Sequence, residues 1–380
     1  NPMVNVAESI DVGGGNENFT SSIIGLQPST KYYVRAYATN SFGTGYGVDK
    51  IFTTTGALMM PANCFIISNS GSYVFEAVKG NSTEAIGEMS SVVVLWESYG
   101  TSIKPSKGKL VKSVKCSGRY IMFETPSSFS EGNALIAAKD SSGKIIWSWH
   151  IWLTDSPGEC VYENNAGIMM DRNIGATSST PGDVGAIGLY YQWGRKDPFL
   201  GPSSIDEDVE ALSTITWPTA VSSSSTTGTI DYSIKHPTTF ICSNTNNKDW
   251  YYTGDSSTDD TRWQSNKTIY DPCPYGWRVP DGGWRGIWEK ADFKNHSYNG
   301  ASEGISFGLG NSSPTTWYPA AGDRSPDDGK IYGTGVNVYY WSVTSSGKYA
   351  YTLNFNLNGY VYPDHSDGKA LGAFVRCLKE

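Results

Sequence analysis

The sequence predicts a mostly β protein, and three observations support that prediction. Charged residues make up only 17% of the 380 residues, whereas glycine (42), tyrosine (24) and tryptophan (13) are abundant, as in chains with many turns. Near the C-terminus, Leu353, Phe355 and Leu357 alternate with asparagines, the period-two pattern of a strand with one buried face. Short apolar segments separated by turn residues recur through the first half of the chain. The length favours two or three domains.

Residues 1–56 are predicted to form a partial module built of strands. The segment KYYVRAYA (31–38) alternates as a strand does, and VDKIFTTT (48–55) is a suitable partner across glycine turns. LQPSTKYY (26–33) resembles the E–F corner of fibronectin type III domains, in which Tyr32 would be the corner tyrosine. Because that seven-stranded fold needs about 100 residues, either the fragment was cut within the domain or another chain completes it. Both alternatives stay open.

Residues 57–158 are predicted to form a β-sandwich that is immunoglobulin-like in outline. The last strand, KIIWSWHIWLTD (144–155), is apolar on both faces, which predicts packing on its own core and on the next domain. Within it, we expect His150 to be a hydrogen-bonded core histidine rather than a ligand or a base. The predicted strands are 64–78, 91–97, 108–116, 120–126, 133–140 and 144–155.

Residues 159–380 contain an ordered set of motifs. They are MMDRNIGA (169–176), GLYYQWGRKDPF (188–199), YDPCPYGWRVP (270–280), WYPAAGDR (317–324), YYWSVT (339–344) and GAFVRCLKE (372–380). In this order they resemble the major paralogous domain of Fibrobacter and Bacteroidetes surface proteins, a C-type-lectin-like fold. The resemblance implies an α+β lectin-like domain here. Lys369 departs from the pattern, because arginine-led versions of its segment are common.

The tail of this domain is most similar to the variable proteins of diversity-generating retroelements and to the lectin-like tips of Bacteroides pili. In such proteins the Tyr-, Asn- and Ser-rich positions of the last strands form the ligand-binding face. The composition supports this interpretation, because tyrosine supplies rigid amphipathic contact area and Ser, Asn and Gly supply adaptable hydrogen bonds, as in an antibody paratope. A polar, tyrosine-rich surface strand of an ordinary secreted domain is the alternative.

The candidate ligand-binding residues all lie in this tail. They are Asn337, Tyr339, Ser345, Ser346, Tyr349, Tyr351, Asn354, Asn356, Tyr360, Tyr362, Asp364 and His365. Asp323 and Asp327 are expected at the rim of the site. The residue types at these positions can be reached from AAY codons by changing the adenines, which permits diversification by a retroelement without demonstrating it.

Two short helices are predicted inside the last domain. They are EDVEALSTI (207–215) and WRGIWEKADF (284–293), and in the second the spacing of Trp284 from the apolar residues three and four positions later indicates an inward face. The low-complexity segments 222–240 and 244–263 are predicted to be surface loops.

Six widely spaced cysteines favour an oxidising exterior with one or two disulfides, because none has the spacing of a zinc site. Cys273 and Cys377 lie at two of the family motifs, so the resemblance implies that they pair. Free buried thiols are the alternative. We therefore expect a secreted protein located at the cell surface, on the outer membrane or at a pilus tip.

Several function classes are not expected. The net charge of −8 and the lack of a Lys/Arg stripe argue against a nucleic-acid partner, and no apolar run approaches the ~20 residues of a membrane span. No GxSxG, HExxH or phosphate-loop motif occurs, so we expect no catalysis. Formylglycine-generating enzymes have a related fold but need a reactive cysteine pair, whereas Cys273 and Cys377 look structural. No cofactor is expected; calcium at DSSTDD (255–260) is the alternative that hard oxygen ligands permit.

Together these observations predict a cell-surface or pilus-tip adhesin that binds a host or bacterial surface protein or glycan through its tail. The alternative is a structural pilus or cell-surface subunit, in which the same face packs against a neighbouring subunit.

Overall fold

Strands dominate the computed structural model, which describes residues 10, 13–15, 23, 31–53, 58–244, 247–254, 258–293, 298–300, 303–309 and 315–380. Strands account for 42% of the structure and helices for 5%. The prediction of a mostly β protein is therefore confirmed.

The N-terminal strands form two separate pairs. They are β1 (Lys31–Val34), β2 (Tyr37–Asn40), β3 (Gly43–Tyr46) and β4 (Lys50–Thr53). β1 pairs antiparallel with β4, and β2 pairs with β3. Tyr32 stacks on Phe52 across the first pair, with ring centroids 5.9 Å apart. The expected partner strands are therefore present, whereas residues 26–30 of the predicted corner lie outside the described residues.

A two-sheet sandwich follows. Its strands are β5 (Leu58–Met59), β6 (Cys64–Ile67), β7 (Ser72–Glu76), β8 (Ser91–Ser98), β9 (Ser113–Ser117), β10 (Tyr120–Glu124), β11 (Gly132–Lys139) and β12 (Ile145–Leu153). One sheet has the order β6-β12-β11-β8 and the other β5-β7-β10-β9. Phe75 of the second sheet meets Trp149 of the first edge-on, with ring centroids 5.1 Å apart. Aromatic and aliphatic side chains alternating along each strand fill the space between the sheets.

The last strand of the sandwich, β12, is buried on both faces, as its apolar sequence predicts. Trp149 lies in the sandwich core, whereas Trp152 lies in a second core that it shares with the C-terminal region. Trp152 Nε1 donates to the carbonyl of Ala176 at 2.9 Å. Asn133 Nδ2, on the neighbouring strand, donates to the carbonyl of Gly175 at 2.8 Å. The sandwich and the C-terminal region therefore share one continuous core.

The C-terminal region is organised around a long mixed sheet. Its strands are β13 (Glu159–Tyr162), β14 (Gly167–Met170), β15 (Leu189–Gln192), β16 (Phe199–Leu200), β17 (Val221–Ser222), β18 (Ile241–Cys242), β19 (Trp277–Arg278), β20 (Tyr298–Gly300), β21 (Gly304–Gly308), β22 (Thr315–Pro319), β23 (Ala321–Arg324), β24 (Ile331–Thr334), β25 (Asn337–Ser346), β26 (Tyr349–Asn356), β27 (Val361–Gly368), β28 (Gly372–Phe374) and β29 (Leu378–Lys379). The central sheet has the order β16-β15-β28-β23-β25-β26-β27, with β24 paired to β23.

Two short helices lie in this region, α1 (Ile230–Lys235) and α2 (Ile287–Lys290). α1 falls in a segment predicted to be a loop. The predicted helix over 207–215 is wrong, because the backbone there bonds to distant segments, as when the amide of Thr214 donates to the carbonyl of Glu97.

The second predicted helix is present only in part. α2 begins after Gly286, whose extended backbone (ψ 175°) separates it from a 3₁₀ turn over Gly283–Arg285. The interruption removes the helical spacing between Trp284 and Ile287. Trp284 is therefore 71% exposed instead of facing inward.

The last three long strands, β25, β26 and β27, form an antiparallel meander at one end of the central sheet. Their inner side is core, because Tyr340, Leu353 and Phe355 are fully buried. Two bulges interrupt the pairing, one after Trp341 in β25 and one opposite Thr352 to Asn354 in β27. The opposite, open side, that of Asn354, is exposed at Tyr360 and Tyr362 but fully buried at Trp341, Ala350 and Thr352.

Candidate ligand-binding face

The open side of the central sheet has a row of polar and aromatic residues across five strands. The pairing register places Tyr332 beside Asp323, Tyr339 beside Asn354, and Asn354 beside Tyr362. β23 runs parallel to β25 in the register that brings Asp323 next to Tyr339. Residues opposite each other in adjacent strands share a face, so these five lie on one surface. We call this surface the tyrosine face, and we define it by Tyr332, Asp323, Tyr339, Asn354, Tyr360, Tyr362, His365 and Asp367.

The rings of the tyrosine face lie close to one another. Tyr360 and Tyr362 are almost parallel, with an interplanar angle of 3° and ring centroids 6.3 Å apart. His365 lies 6.1 Å from both Tyr362 and Tyr339, measured between ring centroids. Tyr360 is 57% exposed and Tyr362 is 45% exposed. These rings offer apolar contact area whose hydroxyl ends remain in water, on strands that need no ordering when a ligand binds.

Carboxyl groups lie among these rings and perturb one another. His365 Nε2 is 3.1 Å from Asp367 Oδ2, and this contact raises the pKa of His365 above its usual range. Burial, with the nearby charges of Asp367 and Asp208, raises the pKa of Asp323 to about 7. Burial and the carboxylates of Asp367 and Asp323 raise the pKa of Tyr339 to about 12. Asp323 therefore changes charge close to neutral pH.

The asparagines of the predicted site lie on the same side by register, and two of them bond to the backbone. Asn354 Nδ2 donates to the carbonyl of Val338 at 3.0 Å. Asn356 Oδ1 accepts from the amide of Asn358 at 3.0 Å, within the turn between β26 and β27. Asn337, paired with Asn356, is half-buried. Asn354 and Asn356 thus shape the strands that hold the tyrosines.

Ser345 and Ser346 lie at the far end of the β25–β26 hairpin. Ser345 Oγ donates to Asp260 Oδ1 at 3.0 Å, and the amide of Gly347 donates to the other oxygen of Asp260 at 3.2 Å. Ser346 is exposed. Asp260 also forms an ion pair with Lys369, so a neighbouring loop holds this hairpin end.

Lys369, which departs from the pattern of the domain that the sequence resembles, is fully buried. Its ammonium group lies 3.9 Å from the ring centroid of Trp193 and against the carboxylate of Asp260. A lysine at this position therefore has both an aromatic and an anionic partner.

Tyr349 and Tyr351 lie on the opposite side of the sheet from Asn354, because side chains alternate along β26. Tyr351 faces Gly283, where an added Cβ would lie 3.6 Å from its ring. Tyr349 is 41% exposed. Asp364, next to His365 in β27, is exposed as well. The structure therefore divides the predicted site between two sides of one sheet.

Two members of the tyrosine face were not among the predicted site residues, Asp367 and Tyr332. Strict alternation from Tyr362 points to Asp364, but the extra residue in β27 shifts the alternation so that His365 and Asp367 share the side of Asn354. A bulge has no clear sequence signal here. Tyr332 comes from β24, which forms an antiparallel hairpin with β23 and places Tyr332 opposite Asp323.

The two predicted rim residues have different positions. Asp323 belongs to the tyrosine face itself. Asp327 is exposed in the turn between β23 and β24, where Ser243 Oγ donates to its Oδ1 at 3.4 Å.

Cys273 and Cys377 form a disulfide, with Cα atoms 6.1 Å apart, as the resemblance implied. The other four cysteines, Cys64, Cys116, Cys160 and Cys242, are free thiols. The disulfide closes a separation of 104 residues and ties the chain end to the segment that follows Asp271.

A buried Cys–His–Asn arrangement lies between the sandwich and the C-terminal region. Cys64 Sγ is 3.3 Å from His150 Nδ1, and His150 Nε2 is 2.9 Å from Asn133 Oδ1. All three residues are 1% exposed. Burial raises the pKa of the Cys64 thiol far above its usual range and lowers the pKa of His150 to about 3. Both groups are therefore neutral, so the thiol lacks the activation of a catalytic cysteine. The predicted core role of His150 is confirmed.

Acidic groups at the end of segment 255–260, where calcium was the alternative to no cofactor, have protein partners. Asp259 Oδ1 accepts from the amide of Thr261 at 2.8 Å, and Asp260 is paired with Lys369; residues 255–257 lie outside the described residues. Within the described ranges, no group of three or more His, Cys, Asp or Glu is arranged to hold a metal ion. In the same ranges, no helix is both long and apolar enough to cross a membrane.

No family model, curated protein or solved structure matches this chain. The functional proposal therefore rests on the sequence resemblance and on the geometry of the tyrosine face.

Proposed function

We propose that this chain is a cell-surface or pilus-tip adhesin that binds a protein or glycan through the tyrosine face of a C-type-lectin-like domain. The observation that supports this most directly is the stacked pair of Tyr360 and Tyr362. Both rings are largely exposed, although the strand that holds them has a buried inner side. Clustered exposed aromatics on a rigid sheet are typical of binding surfaces, where Tyr often supplies the dominant contacts.

The proposed architecture has three parts. Residues 1–56 are a partial fibronectin type III-like module, residues 57–158 an immunoglobulin-like sandwich, and residues 159–380 the lectin-like domain. The two sheets around Phe75 and Trp149 suit the second part. The core shared across β12 supports a fixed position of the tyrosine face relative to the sandwich.

A secreted, non-catalytic role is part of the proposal. The disulfide between Cys273 and Cys377 suits an oxidising compartment. It also occupies the two cysteines that a formylglycine-generating enzyme would need as reactive thiols. Binding, rather than chemistry, is the activity that the exposed rings support.

The test is the binding of the fluorescently labelled full chain to intact bacterial and epithelial cells. Replacing Tyr360 and Tyr362 by Ala should reduce the bound fraction at least tenfold. Replacing Tyr349 and Tyr351, on the other side of the sheet, serves as the matched double-alanine control and should leave binding within a factor of two of wild type. Equal loss in both variants would contradict the assignment of the face.

The alternative structural subunit gives a different result in the same experiment. In that case the wild-type chain would self-associate in sedimentation experiments, and the Tyr360/Tyr362 variant would be monomeric. Cell binding would then be absent for both the wild-type protein and the Tyr360/Tyr362 variant.

Retroelement diversification is a separate part of the proposal, tested on coding DNA from several isolates. Adenine-directed substitutions should fall in the codons of exposed positions such as Tyr360 and Tyr362, beside a near-copy template. The codons of buried Leu353 and Phe355 should not change, because those side chains fill the core.

A further inference from the structure

We infer that the tyrosine face receives an arginine side chain of a partner protein, with its guanidinium group against Asp323 and Asp367. This inference rests on the proposed function and names the chemistry of its ligand. It depends on three features of the face: acceptors without donors, clustered negative charge, and aromatic rings around both.

The polar groups that this face leaves without partners are mainly acceptors. No residue of the described chain donates a hydrogen bond to the half-buried carboxyl group of Asp323. Asn337 Oδ1, two positions before Tyr339 on the same side, is a buried atom with no hydrogen-bond partner in the described part of the chain. A buried acceptor without a donor is costly, so a ligand that supplies N–H groups gains free energy here.

A fully buried hydroxyl lies on the same side. Thr352 is 0% exposed and is paired with Trp341 on one strand and with His365 on the other. Its Oγ1 has no hydrogen-bond partner among the described residues. Its cross-strand neighbour His365 lies 3.1 Å from Asp367 Oδ2, so the unsatisfied hydroxyl belongs to the residue paired with the partner of Asp367.

The charge of the face favours a cation. Asp367 and Asp208 both lie close enough to Asp323 for their negative charges to raise its pKa. The positive charge of His365, where present, is directed at Asp367 rather than Asp323. An incoming cation would relieve the repulsion between the carboxylates, and a neutral ligand would not.

A guanidinium group matches this arrangement better than other cations. It is planar, has five N–H donors and no acceptor, and stacks on aromatic rings. The rings of Tyr339 and Tyr362 each have their centroid 6.1 Å from that of His365, whose Nε2 lies 3.1 Å from Asp367. A neutral sugar could use the rings and donate hydroxyl hydrogen bonds to the carboxylates but would leave their negative charge uncompensated, so a protein partner with an exposed arginine is the better fit.

The probe is N-acetyl-arginine methylamide, titrated into the full chain and followed by chemical-shift changes of labelled tyrosine rings. We expect saturable shifts at Tyr339, Tyr360 or Tyr362. The citrulline analogue, which is nearly isosteric but neutral, should bind at least tenfold more weakly. Because the exposed charges are screened by salt, the arginine affinity should fall as ionic strength rises.

Variants separate binding from folding. Asp323→Asn and Asp367→Asn should each weaken arginine binding at least tenfold, whereas Asp327→Asn, with the same charge change in an exposed turn, should bind as wild type does. Wild-type affinity should increase between pH 6 and pH 8, because Asp323, whose pKa is raised to about 7, ionises in this range. The other charged or titratable groups that face it are Asp208, Asp367 and Tyr339, and His365 faces Asp367. Asp323→Asn should reduce this pH dependence.

Three outcomes would overturn the inference. They are equal affinity for arginine and citrulline, unchanged binding in both Asn variants, and a lysine analogue that binds as tightly as arginine. Loss of arginine binding in the Asp327→Asn control would also argue against it. If Tyr360 and Tyr362 prove necessary for cell binding but the arginine probe causes no shifts, this inference fails and the adhesin proposal stands.

Discussion

At the scale of single residues, Arg376 shows how this chain accommodates a buried charge that has no carboxylate partner among the described residues. It is 1% exposed, and its guanidinium donates to Asn173 Oδ1 at 3.0 Å, Thr316 Oγ1 at 3.1 Å and the carbonyl of Trp317 at 2.9 Å. The group also lies 3.7 Å from the ring centroid of Tyr318. Neutral acceptors and a ring face thus replace water around the cation.

Replacing Arg376 by Met should therefore destabilise the protein by about 3–5 kcal/mol, because three acceptors lose their donor in a dry environment. Urea unfolding monitored by circular dichroism measures the change. Arg285→Met, at an exposed arginine stacked on Trp284, is the control and should cost less than about 0.5 kcal/mol. A small effect of Arg376→Met would contradict this expectation, because it would show that the core can repack and satisfy the three acceptors without the guanidinium group.

Asp323 gives a pH-dependent prediction at the same scale. The folded-state pKa of about 7 lies above the ordinary value of 3.8, so between these pH values the native state binds a proton that the unfolded state does not. The contribution of Asp323 to the free energy of unfolding therefore increases as pH falls through 7, by up to about 1.4 kcal/mol per pH unit.

The variant Asp323→Asn lacks this proton. Relative to wild type, its free energy of unfolding should decrease by about 2 kcal/mol between pH 7.5 and pH 5.5. Urea titrations at the two pH values measure the difference. Parallel pH profiles for the two proteins would show that Asp323 titrates normally.

At the scale of elements, the disulfide between Cys273 and Cys377 fixes the last strands. It joins the chain end to a segment in which Asp271 Oδ1 accepts from the amide of Cys273 at 2.8 Å and Asp271 Oδ2 from that of Val279 at 3.0 Å. A covalent link across such a long loop removes much conformational entropy from the unfolded chain.

Replacing both Cys273 and Cys377 by Ala should lower the free energy of unfolding by about 4–5 kcal/mol, the size expected for a loop of roughly 100 residues. Cys116→Ala, at a half-exposed free thiol, is the matched control and should change it little. Unfolding in urea with and without a reductant is the measurement. Equal stability of the double variant and wild type would show that packing alone holds the chain end.

The strands differ in how much of their structure the sequence predicts. Strand existence was predictable in the sandwich and in the tail, because alternation there is regular and local. The side of each residue was predictable in β26 up to Asn356, but not in β27, where one extra residue before His365 reverses the alternation. The predicted site also combined Tyr351 with Asn354, although the regular alternation of β26 already places these two on opposite sides.

At the scale of the whole molecule, the sandwich and the C-terminal region share a core in which Trp96, Leu135 and Trp152 pack with residues from beyond Met170. Polar contacts cross the same junction, including two bonds from Asn63 Nδ2 to the carbonyls of Ile269 and Asp271, at 2.7 and 2.9 Å. A shared core of this kind makes the stability of each part depend on the other.

We therefore expect residues 58–380 to unfold in a single cooperative transition. Asn133→Ala should destabilise both parts by about 2–3 kcal/mol, because the variant loses the hydrogen bonds of Asn133 to His150 and Gly175. Hydrogen exchange should show reduced protection on both sides of the junction. Asn69→Ala, at an exposed loop of the sandwich, is the control. Loss of protection in the sandwich alone would indicate independent units.

This shared core was predictable only in part. The apolar residues on both faces of β12 indicated a second packing partner, but the identity of that partner depends on contacts such as Trp152 with Ala176. The Cys–His–Asn arrangement could not be predicted from the sequence either, because Cys64, His150 and Asn133 come from three different strands and have no characteristic spacing.

The alternation of β26 and β27 has an evolutionary consequence. Because the inner positions such as Leu353 and Phe355 supply the core and the outer positions such as Tyr360 and Tyr362 contribute little to it, the two sets can change under separate selection. Outer substitutions should therefore leave the fold above its stability threshold. Under the proposed binding function, new specificities would arise on this surface by single codon changes without compensating changes elsewhere.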